Sequence, residues 1–274
     1  MIISRTSLRV SFFGGGTDYP EWFMKYGGAV LATTINKYCY VIMHKDKAWH
    51  CMDLPEGAGL GSSSAYTVGW LRAATNHTVE RIAELAVSWE REKLNENVGY
   101  QDQWLCSLGG FRWMEFSAAG VRSELIEPPI NLISQLMLFD TGLYRSAGGI
   151  VAEQLARIKE HENILTEMMD IAEFIKCKLG DGSIDGFGEA LGESWKLKKQ
   201  LSNRISNPVI DDIYDRAIEA GATGGKLLGA GGGGFMLFFV KLARQENVRQ
   251  ALGELRYVPF RFEEPGTTII YQDS

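Results

Sequence analysis

The sequence lacks the features that mark membrane, secreted and nucleic-acid-binding proteins. Nowhere do about 18 apolar residues run together, as a membrane-spanning helix requires. The first residues, MIISRTSLRVSFF, resemble a short strand containing Arg5 and Arg9 more than a signal peptide. The 34 acidic residues outnumber the 28 basic ones, and a net charge of -6 argues against the basic face that nucleic acid needs. We therefore expect a cytoplasmic protein that binds a small molecule, with no nucleic-acid or membrane partner.

Cysteine is also scarce, and its placement argues against a thiol catalyst and against a cysteine-based metal site. The four cysteines are Cys39, Cys51, Cys106 and Cys177, and they form no CxxC pair and have no histidine at metal-ligand spacing. We predict that all four are small buried hydrophobes in a reducing compartment.

Glycine, in contrast, is abundant, and much of it lies in three loops. One loop is PEGAGLGSSSA at residues 55–65, where three glycines permit positive φ and three serines stand at the start of a predicted helix. Free amides and the positive end of the helix dipole would meet there, so the segment predicts a cradle for a nucleotide triphosphate. A serine-capped helix after a glycine turn is the alternative. The predicted nucleotide-binding residues are Gly57, Gly59, Leu60, Gly61, Ser62, Ser63 and Ser64.

The spacing in this loop matches neither the Walker motif nor the Rossmann fingerprint. It resembles the second motif of the GHMP kinases, and two further segments resemble the other two motifs of that family. These are RTSLRVSFFGGGTDY at 5–19 and GGKLLGAGGGGF at 224–235. The strings FGGGTDYP, ENVGYQDQ and GGKLLGAGGGGFMLFF resemble the D-glycero-D-manno-heptose 7-phosphate kinase group in particular. Ser7 departs from the family pattern, since proline is usual there.

The resemblance implies an α+β, two-lobed fold with the active site in the cleft between the lobes. It implies ATP and Mg²⁺ as cofactors, and transfer of the γ-phosphoryl group to the anomeric hydroxyl of a heptose 7-phosphate. A fucokinase-like or other free-sugar 1-kinase is the alternative enzyme. A catalytically silent sensor of sugar and nucleotide is an alternative of another class. The sequence leaves the oligomeric state open.

Four residues are candidates for catalysis and metal binding by this resemblance. Asp102 in GYQDQ matches the family's catalytic base, and Arg9 could keep it ionised. Ser63 and Glu90 match the Mg²⁺ ligands. Read without the family, these residues would be a turn aspartate, a strand-edge charge, a helix cap and a carboxylate paired with a basic side chain.

Several residues are candidates for binding the sugar, and among them Asp18 in GGGTDY resembles the family's sugar-binding aspartate. Asp18 could accept two adjacent hydroxyls, while Lys226 and Arg145 could hold a distal phosphate or could instead be solvated charges. Trp49 and Trp104 could stack on a ligand, although core packing is more usual for tryptophan. The full predicted substrate set is Gly15, Gly16, Thr17, Asp18, Arg145, Lys226, Gly231 and Gly232.

The pair Pro128-Pro129 is the best domain boundary, because two prolines end helices and disrupt strand pairing. We predict an N-terminal domain over 1–128, which carries the cradle and the base, and a ferredoxin-like C-terminal domain over 129–274. A single helical segment is predicted over 150–177. Between Tyr40 and Leu54 the chain is shorter than the family usually is. We predict that a segment near residues 44–48, close to the nucleotide base, is missing from the sequence.

Overall fold

The computed structural model describes residues 1–144 and 148–273. The strands are β1 (Ile2–Phe13), β2 (Gly28–His44), β3 (Lys47–Met52), β4 (Phe111–Ser117), β5 (Gly120–Leu125), β6 (Leu136–Asp140), β7 (Gly224–Leu227), β8 (Phe235–Phe239), β9 (Arg256–Tyr257) and β10 (Thr267–Gln272). The helices are α1 (Pro20–Tyr26), α2 (Ser62–Ala74), α3 (Val79–Ser88), α4 (Gln101–Leu108), α5 (Gly148–Ala156), α6 (Glu162–Gly180), α7 (Phe187–Lys199), α8 (Pro208–Glu219) and α9 (Gln245–Ala251).

The first sheet is antiparallel, with the order β10-β1-β2-β4-β5, and β3 pairs with β2. Its strand β10 comes from the end of the chain and pairs with β1, with Thr6 opposite Thr267. The prediction that all of 129–274 forms a separate domain is therefore wrong for this last strand. Two ends of the chain pair here, which anchors β1 beside the cleft described below.

The second sheet has the order β7-β8-β6-β9, and its strands are also antiparallel. Along the chain, helices separate β6 from β7, β8 follows β7 directly, and α9 precedes β9. This β-α-β-β-α-β succession is the ferredoxin-like arrangement that the sequence predicts. The strands β6, β7 and β8 are buried along their whole length.

A shared core joins the two sheets. Phe13 at the end of β1 packs against Phe187 at the start of α7, with ring centroids 5.1 Å apart. Phe12 contacts the same ring at 5.6 Å. Because both β1 residues are fully buried, this contact fixes the N-terminal sheet against the C-terminal helices.

Two of the predicted helices are confirmed and one is wrong. The helix over 62–74 and the helix capped by Thr78 are confirmed, and the Thr78 side chain accepts a hydrogen bond from the Arg81 amide. The predicted single helix over 150–177 is wrong, since α5 and α6 are separated by turns at residues 157–161. No glycine or proline marks this break in the sequence.

Strands β2 and β3 form a hairpin in which His44 pairs with Lys47, so the turn contains only Lys45 and Asp46. Lys45 adopts a φ of 56°, which is unusual for a residue other than glycine. The missing segment near residues 44–48 stays a prediction, and an intact mass equal to that of the 274 residues would refute it.

The cysteine prediction is correct for two residues and wrong for two. Cys39 and Cys106 are buried, whereas Cys51 and Cys177 are exposed. Trp104 is buried in the core and Trp49 is exposed on β3. Among the described residues, no helix combines the length and the apolarity needed to cross a bilayer.

Candidate active site

A cleft lies where the three glycine-rich loops meet. Residues from both halves of the chain line it. Among the described residues, its charged side chains are Arg9, Asp18, Asp102, Lys198 and Lys226.

An arginine-carboxylate pair forms one wall. Arg9 on β1 donates from Nε to Asp102 Oδ1 and from Nη2 to Asp102 Oδ2, both at 2.7 Å. Its third nitrogen, Nη1, donates to the carbonyl of Gly59 at 2.6 Å. The Arg9 side chain is 5% exposed and that of Asp102 is 22% exposed, so the carboxylate is the member that faces the cleft. This fork-to-fork geometry fixes both groups, and Asp102 lies in the first turn of α4.

Asp18 lies beside this pair but is buried, and it is largely occupied by its own protein contacts. Oδ1 accepts hydrogen bonds from the Gly16 amide and from Gln101 Nε2, at 3.1 and 3.2 Å. Oδ2 accepts one from the Gln101 amide at 3.1 Å. Burial raises the pKa of Asp18, although the backbone hydrogen bond from Gln101 opposes the change. Since a carboxylate offers about four acceptor positions, Asp18 has room for one sugar hydroxyl and not for the predicted two.

The first glycine loop has the conformation that the sequence predicts. Gly57, Gly59 and Gly61 have φ of 69°, 79° and 71°, and α2 begins directly afterwards. The residue before the helix, Gly61, has no side chain to cap it, so the first amides of α2 face the cleft without a side-chain acceptor. An anion would satisfy them.

The third glycine loop touches the first. A β-carbon on Gly229 would lie 2.3 Å from the Cα of Gly59, and one on Gly59 would lie 2.4 Å from the carbonyl oxygen of Leu228. Only glycine permits backbones this close. Gly229 and Gly231 line the cleft from the C-terminal half, opposite the cradle.

Glu90 lies in a π-helical turn, Trp89–Lys93, that follows α3. It is 1% exposed, and its Oε2 accepts hydrogen bonds from Ser64 Oγ at 3.0 Å and from Gln103 Nε2 at 2.7 Å. Burial raises the pKa of Glu90 to about 7, against the effect of these two donors. Its other oxygen, Oε1, has no hydrogen-bond partner among the described residues.

The contact with Ser64 differs from the pairing predicted for Ser63. Ser63 is exposed, and it lines a groove together with Glu90. The described residues contain no group of three or more His, Cys, Asp or Glu side chains arranged around a metal. Mg²⁺ needs no such group, because it usually binds one or two protein oxygens together with substrate phosphates.

Three predicted site residues do not line the cleft. Thr17 is fully buried, and its Oγ1 donates to the carbonyl of Gly14 at 2.8 Å. Leu60 is buried, and its carbonyl accepts the Arg9 amide at 3.0 Å. Gly232 bonds through its amide to Ile205. These residues hold the loops in place, and their contact with a ligand stays a prediction. The other described candidates all line the cleft or the adjoining groove.

Lys226 lines the cleft floor but is 4% exposed, and its Nζ donates to the carbonyl of Phe12 at 2.7 Å. Burial, and then Lys198 and Arg9, lower its pKa well below the usual value. It therefore joins β7 to β1 and is poorly placed to capture a phosphate from solvent. Arg145 lies outside the described residues.

Sequence reasoning missed Lys198, Gln101 and Ser11, which also line the cleft. Gln101 Oε1 and Ser11 Oγ are buried and have no hydrogen-bond partner among the described residues, so a ligand hydroxyl could satisfy them. Lys198 could have been found from helix periodicity, because it follows the buried Leu191 and Trp195 on one face of α7.

Comparison with known proteins identifies the family. The N-terminal domain of GHMP kinases matches residues 42–110, and the C-terminal domain of GHMP kinases matches residues 171–257. Together these matches cover more than half of the 274 residues. The chain belongs to the GHMP kinases. As a GHMP kinase it is an ATP-dependent phosphotransferase.

This GHMP kinase is 29% identical to the D-glycero-alpha-D-manno-heptose 7-phosphate kinase of Campylobacter jejuni, over 97% of each chain. It is also 29% identical to the bifunctional fucokinase/GDP-fucose pyrophosphorylase of Arabidopsis thaliana, over 76% of its own length and 21% of that protein. The solved D-glycero-D-manno-heptose 1-phosphate kinase from Bacteroides thetaiotaomicron has the same fold, with a TM-score of 0.79 and 24% identity over the full length of both chains. The predicted α+β GHMP kinase fold is confirmed.

Proposed function

We propose that this GHMP kinase transfers the γ-phosphoryl group of ATP to the anomeric hydroxyl of a heptose 7-phosphate. The proposal rests on one arrangement, in which the Arg9-Asp102 pair shares a cleft with the glycine cradle. The similarity to the Campylobacter jejuni enzyme over nearly all of both chains supports the choice of acceptor.

In the proposed reaction Asp102 accepts the proton of the acceptor hydroxyl. The hydroxyl oxygen forms a bond to the γ-phosphorus, the bond to the β–γ bridging oxygen breaks, and ADP leaves. Arg9 holds both carboxylate oxygens, which fixes their direction relative to the cradle. The sugar is oriented by hydrogen bonds to one free acceptor position on each of Asp18, Gln101 and Ser11.

Mg²⁺ fits the groove that Ser63 and Glu90 share, because the unpartnered Glu90 Oε1 is a buried hard oxygen. These two residues would hold it. When bound, the ion would neutralise charge on the β- and γ-phosphates.

The fucokinase-like alternative is favoured by the match to the Arabidopsis thaliana protein, although that match covers only 21% of it. The sensor alternative predicts binding without turnover. Ser63, Glu90 and Asp102 are all present, which argues for catalysis.

A coupled assay of ADP release over heptose 7-phosphate, the unphosphorylated heptose, fucose and galactose tests the proposal. We expect the highest kcat/KM with heptose 7-phosphate. A higher value for a free sugar would favour the alternative enzyme, and binding without ADP release would favour the sensor.

The predicted phosphate contact of Arg145 is tested in the same assay. Arg145→Ala should raise KM for the sugar phosphate about tenfold, since a charged hydrogen bond is worth about 1.5–3 kcal/mol. KM for the free sugar should not change. The control is Arg157→Ala, which removes an exposed arginine paired with Glu160.

A further inference from the structure

Lys198 differs from the lysines beside it on α7. Lys196 is 65% exposed and pairs with Glu193, and Lys199 pairs with Asp211. Lys198 is partly buried, points into the cleft, and donates a hydrogen bond to the carbonyl of Gly229. No carboxylate pairs with it among the described residues.

The other two cations that line the described part of the cleft are already engaged. Arg9 donates to both oxygens of Asp102 and to Gly59, and Lys226 is buried against the Phe12 carbonyl. Lys198 has three donors and uses one of them on a neutral carbonyl. Burial, followed by Arg9, lowers the pKa of Lys198 to about 8, although Asp18 and Asp102 oppose the change. An anion bound beside Lys198 would favour its charged form.

The position of Lys198 in the cleft indicates which anion it would bind. Asp102 contacts Arg9, Arg9 contacts Gly59, Gly59 nearly touches Gly229, and Gly229 accepts from Lys198. Lys198 therefore lies where the two glycine loops meet, and it is linked to the Arg9-Asp102 pair through Gly229 and Gly59. In the proposed reaction the phosphoryl group passes from the glycine cradle to a hydroxyl at Asp102, and Lys198 lies where that cradle meets the third glycine loop.

We propose that Lys198 is a further catalytic residue, which keeps its bond to Gly229 and donates its remaining N–H groups to the phosphoryl group in transit. This inference rests on the proposed function. Lys198 gives up no proton, since the hydroxyl proton goes to Asp102 and ADP leaves with the bridging oxygen. Lys198 stabilises the transition state, because its positive charge lies beside the phosphoryl oxygens, which share the negative charge of that state.

Lys198→Met tests the proposal. We expect kcat to fall by about 10²–10³, as on loss of a single transition-state donor, with KM for the sugar phosphate and the affinity for ADP within about threefold of wild type. Lys198→Arg should recover about tenfold or more of the lost rate, because it keeps the charge. The matched control Lys196→Met, two residues away on the same helix, should behave as wild type.

A binding measurement separates this inference from the proposed acceptor. ADP with beryllium fluoride mimics the γ-phosphate and needs no sugar, so the gain in ADP affinity on adding fluoride should be lost in Lys198→Met and kept in Lys196→Met. If wild type phosphorylates none of the sugars, the proposed function fails while this measurement still decides the role of Lys198. If Lys198→Met does not fold, Lys198→Gln replaces it.

Three results would overturn the proposal. A kcat within about threefold of wild type would exclude a catalytic role. A raised KM for the sugar phosphate alone would place the distal phosphate at Lys198. A retained fluoride effect would show that Lys198 does not contact the transferred group.

Discussion

Asp102 and Glu90 are two carboxylates of the same site in opposite surroundings. Asp102 faces the cleft and forms two hydrogen bonds of 2.7 Å with the Arg9 guanidinium. Glu90 is 1% exposed and accepts hydrogen bonds from the neutral donors Ser64 and Gln103, and its Oε1 has no hydrogen-bond partner in the described part of the chain. Among the described residues, Arg9 supplies a counter-charge for Asp102, and no cation pairs with Glu90.

The difference in surroundings suits the two carboxylates to different chemical roles. A base must be negative before the substrate arrives, and the Arg9 guanidinium beside Asp102 balances that charge. A carboxylate buried among neutral groups is costly to ionise, so its pKa rises, here to about 7. A cation that arrives with the nucleotide would reverse this cost. We infer that the first arrangement suits proton acceptance and the second suits a metal ligand.

Replacing the base should give the largest effect. Asp102→Asn keeps the shape and one accepting oxygen for Arg9 but removes the negative charge, so kcat should fall by about 10²–10⁴ with ADP affinity near wild type. Steady-state kinetics and calorimetry measure the two quantities. The control Asp181→Asn changes an exposed aspartate at the end of α6. A kcat within about threefold of wild type would remove Asp102 from the mechanism.

The fold was largely predictable because its signals are local or carried by long motifs. The three serines after Gly61 and the capping Thr78 gave the starts of two helices correctly. The pairing of β10 with β1 was not predictable from periodicity, because it depends on contacts about 260 residues apart in the chain. The break between α5 and α6 was also not predictable, because no glycine or proline lies there in the sequence.

Site residues that belong to a family motif were predictable from the sequence. The orientation of a side chain was less predictable where it depends on packing. The sequence predicts Arg9 beside Asp102, and the structure has that pair. Thr17 is in a predicted binding loop, yet its hydroxyl bonds inward to the Gly14 carbonyl. Lys198 is one of three lysines in KLKK at 196–199, and only its position on the buried face of α7 distinguishes it.

Removing the arginine should have the next largest effect, on stability. Arg9→Met leaves Asp102 without its counter-charge in a mostly buried setting, so the free energy of unfolding should fall by about 3 kcal/mol. Urea titration measures this. The control is Arg81→Met, which removes an exposed pair with Glu84 and should cost less than about 1 kcal/mol. Equal losses in the two variants would mean that Arg9 behaves as a surface charge.

The pH dependence of stability is expected to be smaller and to come from Glu90. Its pKa is raised from 4.5 to about 7 in the folded state, so within this window the folded chain holds a proton that the unfolded chain has released. The free energy of unfolding of the metal-free protein should therefore fall as pH rises through the window, by about 3 kcal/mol at most.

Urea titrations of wild type and Glu90→Gln in chelator, at about pH 5 and about pH 8, isolate this contribution. Asp18, whose pKa burial also raises, acts in the same direction but is present in both proteins. Glu90→Gln should lose less stability between the two pH values than wild type does. Parallel losses would show that Glu90 does not titrate in this window.

The smallest expected effect is on the requirement for metal. Glu90→Gln keeps an oxygen at the site but removes its charge, so the Mg²⁺ concentration for half-maximal rate should rise about tenfold, equivalent to about 1.4 kcal/mol. The control is Glu92→Gln, an exposed neighbour in the same π-helical turn. An unchanged requirement in Glu90→Gln, or an equal shift in Glu92→Gln, would contradict the assignment. If Glu90→Gln also binds ADP normally without metal, the defect lies in holding the ion, as expected of a carboxylate whose counter-charge comes from outside the chain.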